Sequence, residues 1–255
     1  MKSDGKASKK RRSAWLIGVT EGMGLEVARQ LVAENWRVVL SARPSMRLDS
    51  LGHEIGAECV PLDVTDKNEM LRVAKTIFAD QSPELIFMNV GDYQPMRLDD
   101  FDSGLFEKLN RVNYLANVYL LEATVPLLKK HGGGQILLNV SSAAYRGLPG
   151  SAPYSAAKAS TLHLAEALHV ELLQVGVRLR VINPGFVRSR LTDKNQFAMP
   201  FIMEPEDAAI RIVKAIDKQG FEITFPRRLT YILKFMRCLP YAVYFYITRR
   251  LVSSR

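Results

Sequence analysis

Cysteine is scarce: Cys59 and Cys238 are the only two among 255 residues. Two cysteines so far apart give no CxxC-type metal or redox spacing and no disulfide framework, and they suit a reducing compartment. Long hydrophobic runs are missing too. No stretch reaches 18 uncharged apolar residues, so no segment reads as a membrane-spanning helix. The apolar run behind the basic Lys9-Lys10-Arg11-Arg12, from Ala14 to Val19, is six residues long and contains Gly18. That is short for the core of a signal peptide, and no small-residue cleavage pattern follows it. Repeats and low-complexity segments are absent. Acidic residues are absent from 226–255, which hold seven Lys/Arg. The net charge of +9 divides into +5 over residues 1–12, +7 over 226–255 and −3 between them. A mildly acidic middle argues against a nucleic-acid groove on the domain itself, so no nucleic-acid partner is expected.

Length and composition are those of one globular unit with a full core: 47% hydrophobic and 24% charged residues. Short apolar runs at 14–19, 36–41, 57–61, 84–90, 134–140, 177–183 and 222–225 read as strands. Helical patterns fill the gaps at 23–34, 45–55, 66–80, 104–130 (with a break inside), 153–175 and 205–219. Continuous apolar strands separated by helices predict a doubly wound, seven-stranded parallel sheet covered on both faces. The expected organisation is a disordered basic tail at 1–12, a Rossmann-like α/β domain at 13–225 and a basic amphipathic extension at 226–255.

The first strand runs into Gly18-Val19-Thr20-Glu21-Gly22-Met23-Gly24 and then a helix. Glycines at such a junction let the backbone turn tightly against a pyrophosphate, and the helix N-terminus offers unpaired N–H groups and a favourable dipole. The second strand ends in Ser41-Ala42-Arg43. An acidic residue there would hold the ribose 2′-hydroxyl of NAD, whereas Arg43, with Arg47 as a helper, suits a 2′-phosphate. The residues favour NADP(H) over NAD(H), although Glu21 lies where it could repel that phosphate.

Tyr154 and Lys158 are four residues apart in a helical pattern, and Ser141 precedes Tyr154 by thirteen. Positions i and i+4 share a helix face, so the lysine ammonium can approach the phenol and lower its pKa from about 10 toward a useful value. A serine from the preceding loop could hold the reacting oxygen.

GxxxGxG, Asp63-Val64, Asn89-Val90-Gly91, Asn113, Ser141, Tyr154-x-x-x-Lys158 and Asn183-Pro184-Gly185 occur in this order, and together they resemble the short-chain dehydrogenase/reductase family over roughly residues 13–225. The resemblance implies a nicotinamide-dependent interconversion of carbonyl and alcohol. It implies that Asn113, Ser141, Tyr154 and Lys158 are catalytic, with Asn113 holding a water in a proton relay to Lys158. The implied cofactor contacts are Gly18, Thr20, Glu21, Gly22, Met23, Gly24, Arg43, Asp63 and Val64 beside the adenine, Asn89, Gly91, Tyr154 and Lys158. Pro184, Gly185, Val187 and Ser189 complete the set near the nicotinamide. No metal is implied. Ile17, Met88 and Val90 depart from the family's usual residues along the cofactor wall.

Two segments bear on the substrate and partners. The loop from Phe186 to Met203 holds Phe186, Leu191, Phe197, Met199, Phe201 and Met203, and a lid this apolar suggests a lipid-, steroid- or retinoid-like carbonyl or alcohol. In the extension, Leu229, Ile232, Leu233, Met236 and Leu239 follow helical spacing while Thr230, Lys234 and Arg237 line another face, and Pro240 breaks the helix. A second segment, from Tyr241 to Val252, is aromatic with basic flanks. Such helices suit a membrane interface, and they equally suit packing on the domain, closure of the pocket or a dimer contact. The resemblance implies a homodimer or homotetramer. The expected location is the cytoplasm, with the membrane surface open to it. Two alternatives stay open: a catalytically idle redox sensor that binds NAD(P), and a membrane-surface interaction protein.

Overall fold

The computed structural model describes residues 11–195 and 197–253. Seven strands form one sheet: β1 (Ser13–Ile17), β2 (Arg37–Ser41), β3 (Glu58–Cys59), β4 (Leu85–Met88), β5 (Gly134–Asn139), β6 (Val177–Pro184) and β7 (Glu222–Phe225). Their order is β3-β2-β1-β4-β5-β6-β7, and every pairing is parallel. The helices between them are α1 (Gly22–Ala33), α2 (Met46–Ile55), α3 (Lys67–Asp80), α4 (Ser103–Asn110), α5 (Ala116–Lys130), α6 (Ala152–Gln174), α7 (Pro205–Val213), α8 (Arg227–Cys238) and α9 (Tyr241–Ser253).

Alternation along the strands feeds two cores. In β1, Trp15 and Ile17 join the core under α3, α5 and α6, while Ala14 and Leu16 join the one under α1, α2 and α7. Ile86 and Met88 against Leu85 and Phe87 repeat the division in β4. A strand buried on both sides must be apolar at every position, which is why the strands read as continuous runs. The chain runs outward from β1 to β3 and returns to β4 beside β1. A crevice therefore opens at the carboxyl ends of β1 and β4, where such sheets bind ligands.

The third strand is shorter than expected, two residues against 57–61, because this edge strand keeps register only where Glu58 and Cys59 pair with Val39 and Leu40. Helix α7 stops at Val213 rather than 219 and passes into turns. The expected basic tail lies outside the described residues as far as Lys10. Arg11 and Arg12 are held by the fold rather than disordered. Arg12 ion-pairs Glu84 at 3.0 Å and Asp217 at 2.9 Å and lies over the Trp36 ring. The break expected within 104–130 is a π-helical turn at Arg111–Leu115, between α4 and α5.

Candidate active site

Helices α2, α3 and α4 begin with side-chain caps from Ser45, Asp66 and Asp102. Helix α1 has none: Glu21 precedes it in extended conformation with no capping bond. Its first N–H groups are therefore left for an anion at the crevice. Gly18 turns the chain at φ +75°, and a Cβ there would stand 2.5 Å from Val90 Cγ2. A Cβ on Gly24 would overlap the Asn89 amide nitrogen and stand 2.9 Å from Val19 Cγ1. Asn89 stitches the turn to the sheet by donating to Gly18 O at 2.9 Å and accepting from Asn139 Nδ2 at 3.0 Å. Glu21 is neutralised by Arg190 of the 186–203 loop, whose Nε donates to Glu21 Oε1 at 2.6 Å. The repulsion expected from Glu21 is thereby offset.

At the end of β2, Arg43 is exposed and hydrogen-bonds no side chain among the described residues. The Thr65 N–H and hydroxyl hold the Asp63 carboxyl below its usual range, and the Arg43 charge adds to this. Arg47, the expected helper, pairs with Glu54 at 3.5 Å instead. Thr20 is partly exposed, and the Met23 and Val64 side chains belong to the core.

The catalytic positions gather one strand over. Lys158, on α6, is buried and donates from Nζ to Asn139 O at 2.8 Å. Gly91 gives it room: a Cβ at that position would be 3.6 Å from Lys158 Nζ and 3.3 Å from Asn113 Oδ1. Asn113 sits in the π-helical turn, clamping the 91–92 segment by accepting from Asp92 N and donating to Asp92 O. The Asn113 carbonyl accepts from Thr161 Oγ1 and from Asn117 Nδ2, both at 2.8 Å. A relay water at that carbonyl would have to displace one of them.

Tyr154 lies one turn before Lys158, whose Nζ is 5.9 Å from the phenol ring centre. Tyr93 packs edge-on against Tyr154, with ring centres 5.1 Å apart. Burial pushes the Tyr154 pKa up to about 12, opposed by its hydrogen bond with Ser141, and burial pulls Lys158 down to about 7. The expected lowering of the phenol pKa by lysine is thus reversed. A buried amine that is half neutral at pH 7 provides little field, and desolvation dominates both groups.

Ser141 is fixed from below. Its N–H donates to Asn183 Oδ1 at 3.2 Å, and Asn183 Nδ2 donates to Glu222 Oε1 at 2.6 Å. The Tyr145 hydroxyl donates to the same carboxylate, and Lys234 of α8 ion-pairs with it. Sequence reasoning quoted Asn183 only as part of a motif and missed Asn139, Tyr145 and Glu222. Asn139, two residues before Ser141 at the end of an apolar strand, was the one visible signal.

At the end of β6, Gly185 donates to Phe225 O at 2.7 Å, and a Cβ there would stand 2.7 Å from Leu229 Cδ2. Val187 bridges Met203, closing the base of the 186–203 loop. Ser189 is turned into this loop, where its N–H donates to Thr192 Oγ1 at 2.8 Å. Lys194 ties the loop to the β4 end through Tyr93 O at 2.6 Å.

The chain resembles known proteins along most of its length. A family model described as short chain dehydrogenase matches residues 12–199. An uncharacterized oxidoreductase of Myxococcus xanthus is 31% identical over 246 residues, covering 94% of this chain and 97% of the relative. A short-chain dehydrogenase from Streptomyces avermitilis has the same fold, with a TM-score of 0.82 at 20% identity over 96% of this chain and 98% of that one. A single-substitution variant of actinorhodin polyketide ketoreductase, solved with NADPH, gives a TM-score of 0.76 at 20% identity over 84% of this chain and 95% of that one. The family match, the Myxococcus relative and the shared fold agree with the turn, crevice and tyrosine–lysine helix described above: this chain belongs to the short-chain dehydrogenase family and is an oxidoreductase.

Proposed function

We propose that this oxidoreductase interconverts a carbonyl and an alcohol with NADP(H), on an apolar substrate. The observation that carries the reading is the helix face that sets Tyr154 beside the buried Lys158 amine, with Ser141 close to the phenol, at the strand ends beside an uncapped, glycine-lined helix start. The residues suit a dinucleotide. Gly22 leaves open space at the start of α1 for a pyrophosphate, Gly18 and Gly24 let the turn close on Val90 and Asn89, Arg43 suits a 2′-phosphate, and Gly91, Lys158, Pro184 and Gly185 border the place for a nicotinamide ribose and ring. Solved neighbours named as complexes with NADPH or NADP support a nicotinamide cofactor, and Arg43 carries the preference for NADP(H).

When bound, the nicotinamide supplies or accepts the hydride. The chain handles the proton. A Tyr154 phenol with a pKa of about 12 keeps its proton at neutral pH, so its Oη is poised to donate to the oxygen of a carbonyl being reduced. Ser141 Oγ supplies a second hydrogen bond to that oxygen as charge grows on it. Lys158, with a pKa near 7, can gain or lose a proton beneath the phenol at working pH. Asn139 and Asn113 fix its surroundings. An apolar substrate is supported by the 186–203 loop, where Phe186 and Phe197 pack edge-to-face with centres 5.9 Å apart and Phe201 stays exposed.

The test is turnover of NADPH and NADH with a panel of apolar and polar ketones and aldehydes, by the wild type and by Tyr154→Phe. The expected result is NADPH-dependent reduction of apolar carbonyls, lowered in the variant by at least about 10²-fold, the lower end of general acid–base effects. Retained turnover in the variant removes Tyr154 from the reaction. NADPH binding without turnover on any carbonyl favours the idle sensor.

A further inference from the structure

The two C-terminal helices expose part of their apolar surface. Of the helically spaced row in α8, Leu229 is buried, Leu233, Met236 and Leu239 are half-buried and Ile232 is exposed. The structure turns Thr230 fully inward and Lys234 onto Glu222, leaving Tyr231, Ile232 and Phe235 exposed. Lys234 meets the Glu222 carboxylate, part of the network under Ser141, on the domain side. Helix α9 is anchored through Tyr244 and Thr248, while Tyr241 and Phe245 remain 71% and 58% exposed. Half of the large hydrophobic side chains exposed among the described residues belong to α8 and α9. Apolar surface concentrated on two consecutive helices marks an interaction site.

The helices are also fixed in position. Arg146, five residues after Ser141, donates to Met236 O at 2.7 Å and Leu239 O at 2.6 Å and lies over the Tyr241 and Tyr244 rings. The Tyr244 hydroxyl donates to Gly147 O. The exposed face is thus mounted on the loop that carries the catalytic serine.

We infer that the exposed face of α8 and α9 docks on an anionic phospholipid surface, with the helices lying in its plane. Charge decides between this occupant and a second copy of the chain. Residues 226–255 contain no acid, and Arg227 and Arg228 are exposed while Lys234 and Arg237 are paired with Glu222 and Glu166 of the domain, so pairing this face with its own copy brings the exposed arginines onto one another. An anionic bilayer surface neutralises them, while aromatic side chains settle at the headgroup level. No helix among the described residues is long and apolar enough to cross the bilayer, so the contact is peripheral. Docking would bring the substrate loop to the source of apolar molecules. In that it extends the proposed function, yet it stands or falls separately, because flotation needs no turnover and turnover on soluble ketones needs no membrane.

The experiment is flotation of the full chain with phosphatidylcholine vesicles, with and without phosphatidylserine at roughly a third of the lipid, a composition that sets a strongly negative surface potential. The expected result is binding to the anionic vesicles only, lost in high salt. Arg227→Gln with Arg228→Gln should lower the partition coefficient about 25-fold, at roughly five-fold per cation. Both arginines are exposed, so the fold is retained. Phe235→Ser with Phe245→Ser should release the protein while leaving NADPH binding unchanged. Absence of binding to anionic vesicles, or equal binding to both kinds, overturns the inference. Concentration-dependent dimers that the Phe235→Ser and Phe245→Ser changes dissolve would assign the face to a second copy and overturn it as well.

Discussion

Replacing Lys158 by methionine should make the protein more stable at low pH while abolishing turnover. The side chain is 2% exposed, and among the described residues its ammonium has a single hydrogen-bond acceptor, Asn139 O at 2.8 Å. Burial lowers its pKa from 10.5 to about 7. At roughly 1.4 kcal/mol per pKa unit, holding that charge inside costs on the order of 5 kcal/mol below pH 7. A depressed lysine binds fewer protons folded than unfolded between the two values. Stability therefore climbs as pH rises from about 7 toward 10.5, and the penalty is complete only below about 7. Methionine fills similar space without charge, but it leaves the Asn139 carbonyl without this donor, a loss of about 1–3 kcal/mol. The net at pH 6 is a gain of about 2–4 kcal/mol, or a rise in Tm of roughly 4–16 °C for a chain of this size. At pH 9 the remaining charge penalty is about 2 kcal/mol, which the lost hydrogen bond cancels, so the two proteins should melt within a few degrees of each other. Thermal unfolding of both proteins at pH 6, 7.5 and 9 without cofactor measures this. A Tm difference independent of pH, or a variant less stable than wild type at pH 6, refutes the account of Lys158 as a strained buried cation.

Three further outcomes follow from the geometry. Gly24→Ala drives a methyl into the Asn89 amide and breaks its bond to Gly18 O, so NADPH affinity in a fluorescence titration should fall at least about ten-fold, with about 1–3 kcal/mol lost from stability. Arg43→Ala should weaken NADPH binding by roughly 10- to 100-fold, the range of a charged hydrogen bond, and leave NADH binding unchanged; calorimetric titration of both nucleotides separates the cases. Glu222→Gln removes the ion pair with Lys234 and the carboxylate under Asn183. Urea unfolding should show a loss of about 1–2 kcal/mol, modest because Lys234 is partly solvated, and kcat should fall with little change in KM as Ser141 loses its fixed position.

Elements whose signal is local were legible in the sequence. Continuous apolar strands announced the parallel sheet because both faces are buried, and the glycines announced a turn that Gly18 and Gly24 keep too tightly packed for a side chain while Gly22 takes a positive φ. Tyr154 and Lys158 came together because one helix carries both. Ser141 could be offered from its place before that helix, but Asn113 needed the resemblance, since its meeting with Lys158 depends on packing between separate helices. What stayed illegible arises between elements. The Glu21–Arg190 pair joins residues 169 apart, and nothing in either neighbourhood specifies the partner. The tyrosine pKa was misjudged for the same reason. The i+4 spacing shows that a cation is near, but burial, which only the assembled fold sets, decides whether that cation is charged.

The facing of α8 shows the same ordering of effects and bears on where this domain ends. A boundary after residue 225 follows from composition, because the chain turns basic and aromatic there. The structure gives Glu222 three donors: Tyr145 and Asn183 from the domain, and Lys234 from beyond that boundary. A chain cut at 225 would keep a partly buried carboxylate and lose the cation that pairs with it. It would also strip Leu229 from Gly185 and free Arg146 from the α8 carbonyls. Breaking one side of such a pair costs more than never having built it, because the remaining charge stays desolvated. The loss falls on the carboxylate that holds Asn183, which holds Ser141. Truncation should therefore damage turnover as well as any membrane contact, and the two can be separated only by point substitutions on the exposed side of the helices. Phe235→Ser is the cleaner of the two, because Phe235 is exposed while Phe245 also packs against Tyr244 and borders the cavity at the start of α6. A fall in turnover on a soluble ketone with Phe235→Ser would mean that the exposed face belongs to the catalytic machinery after all.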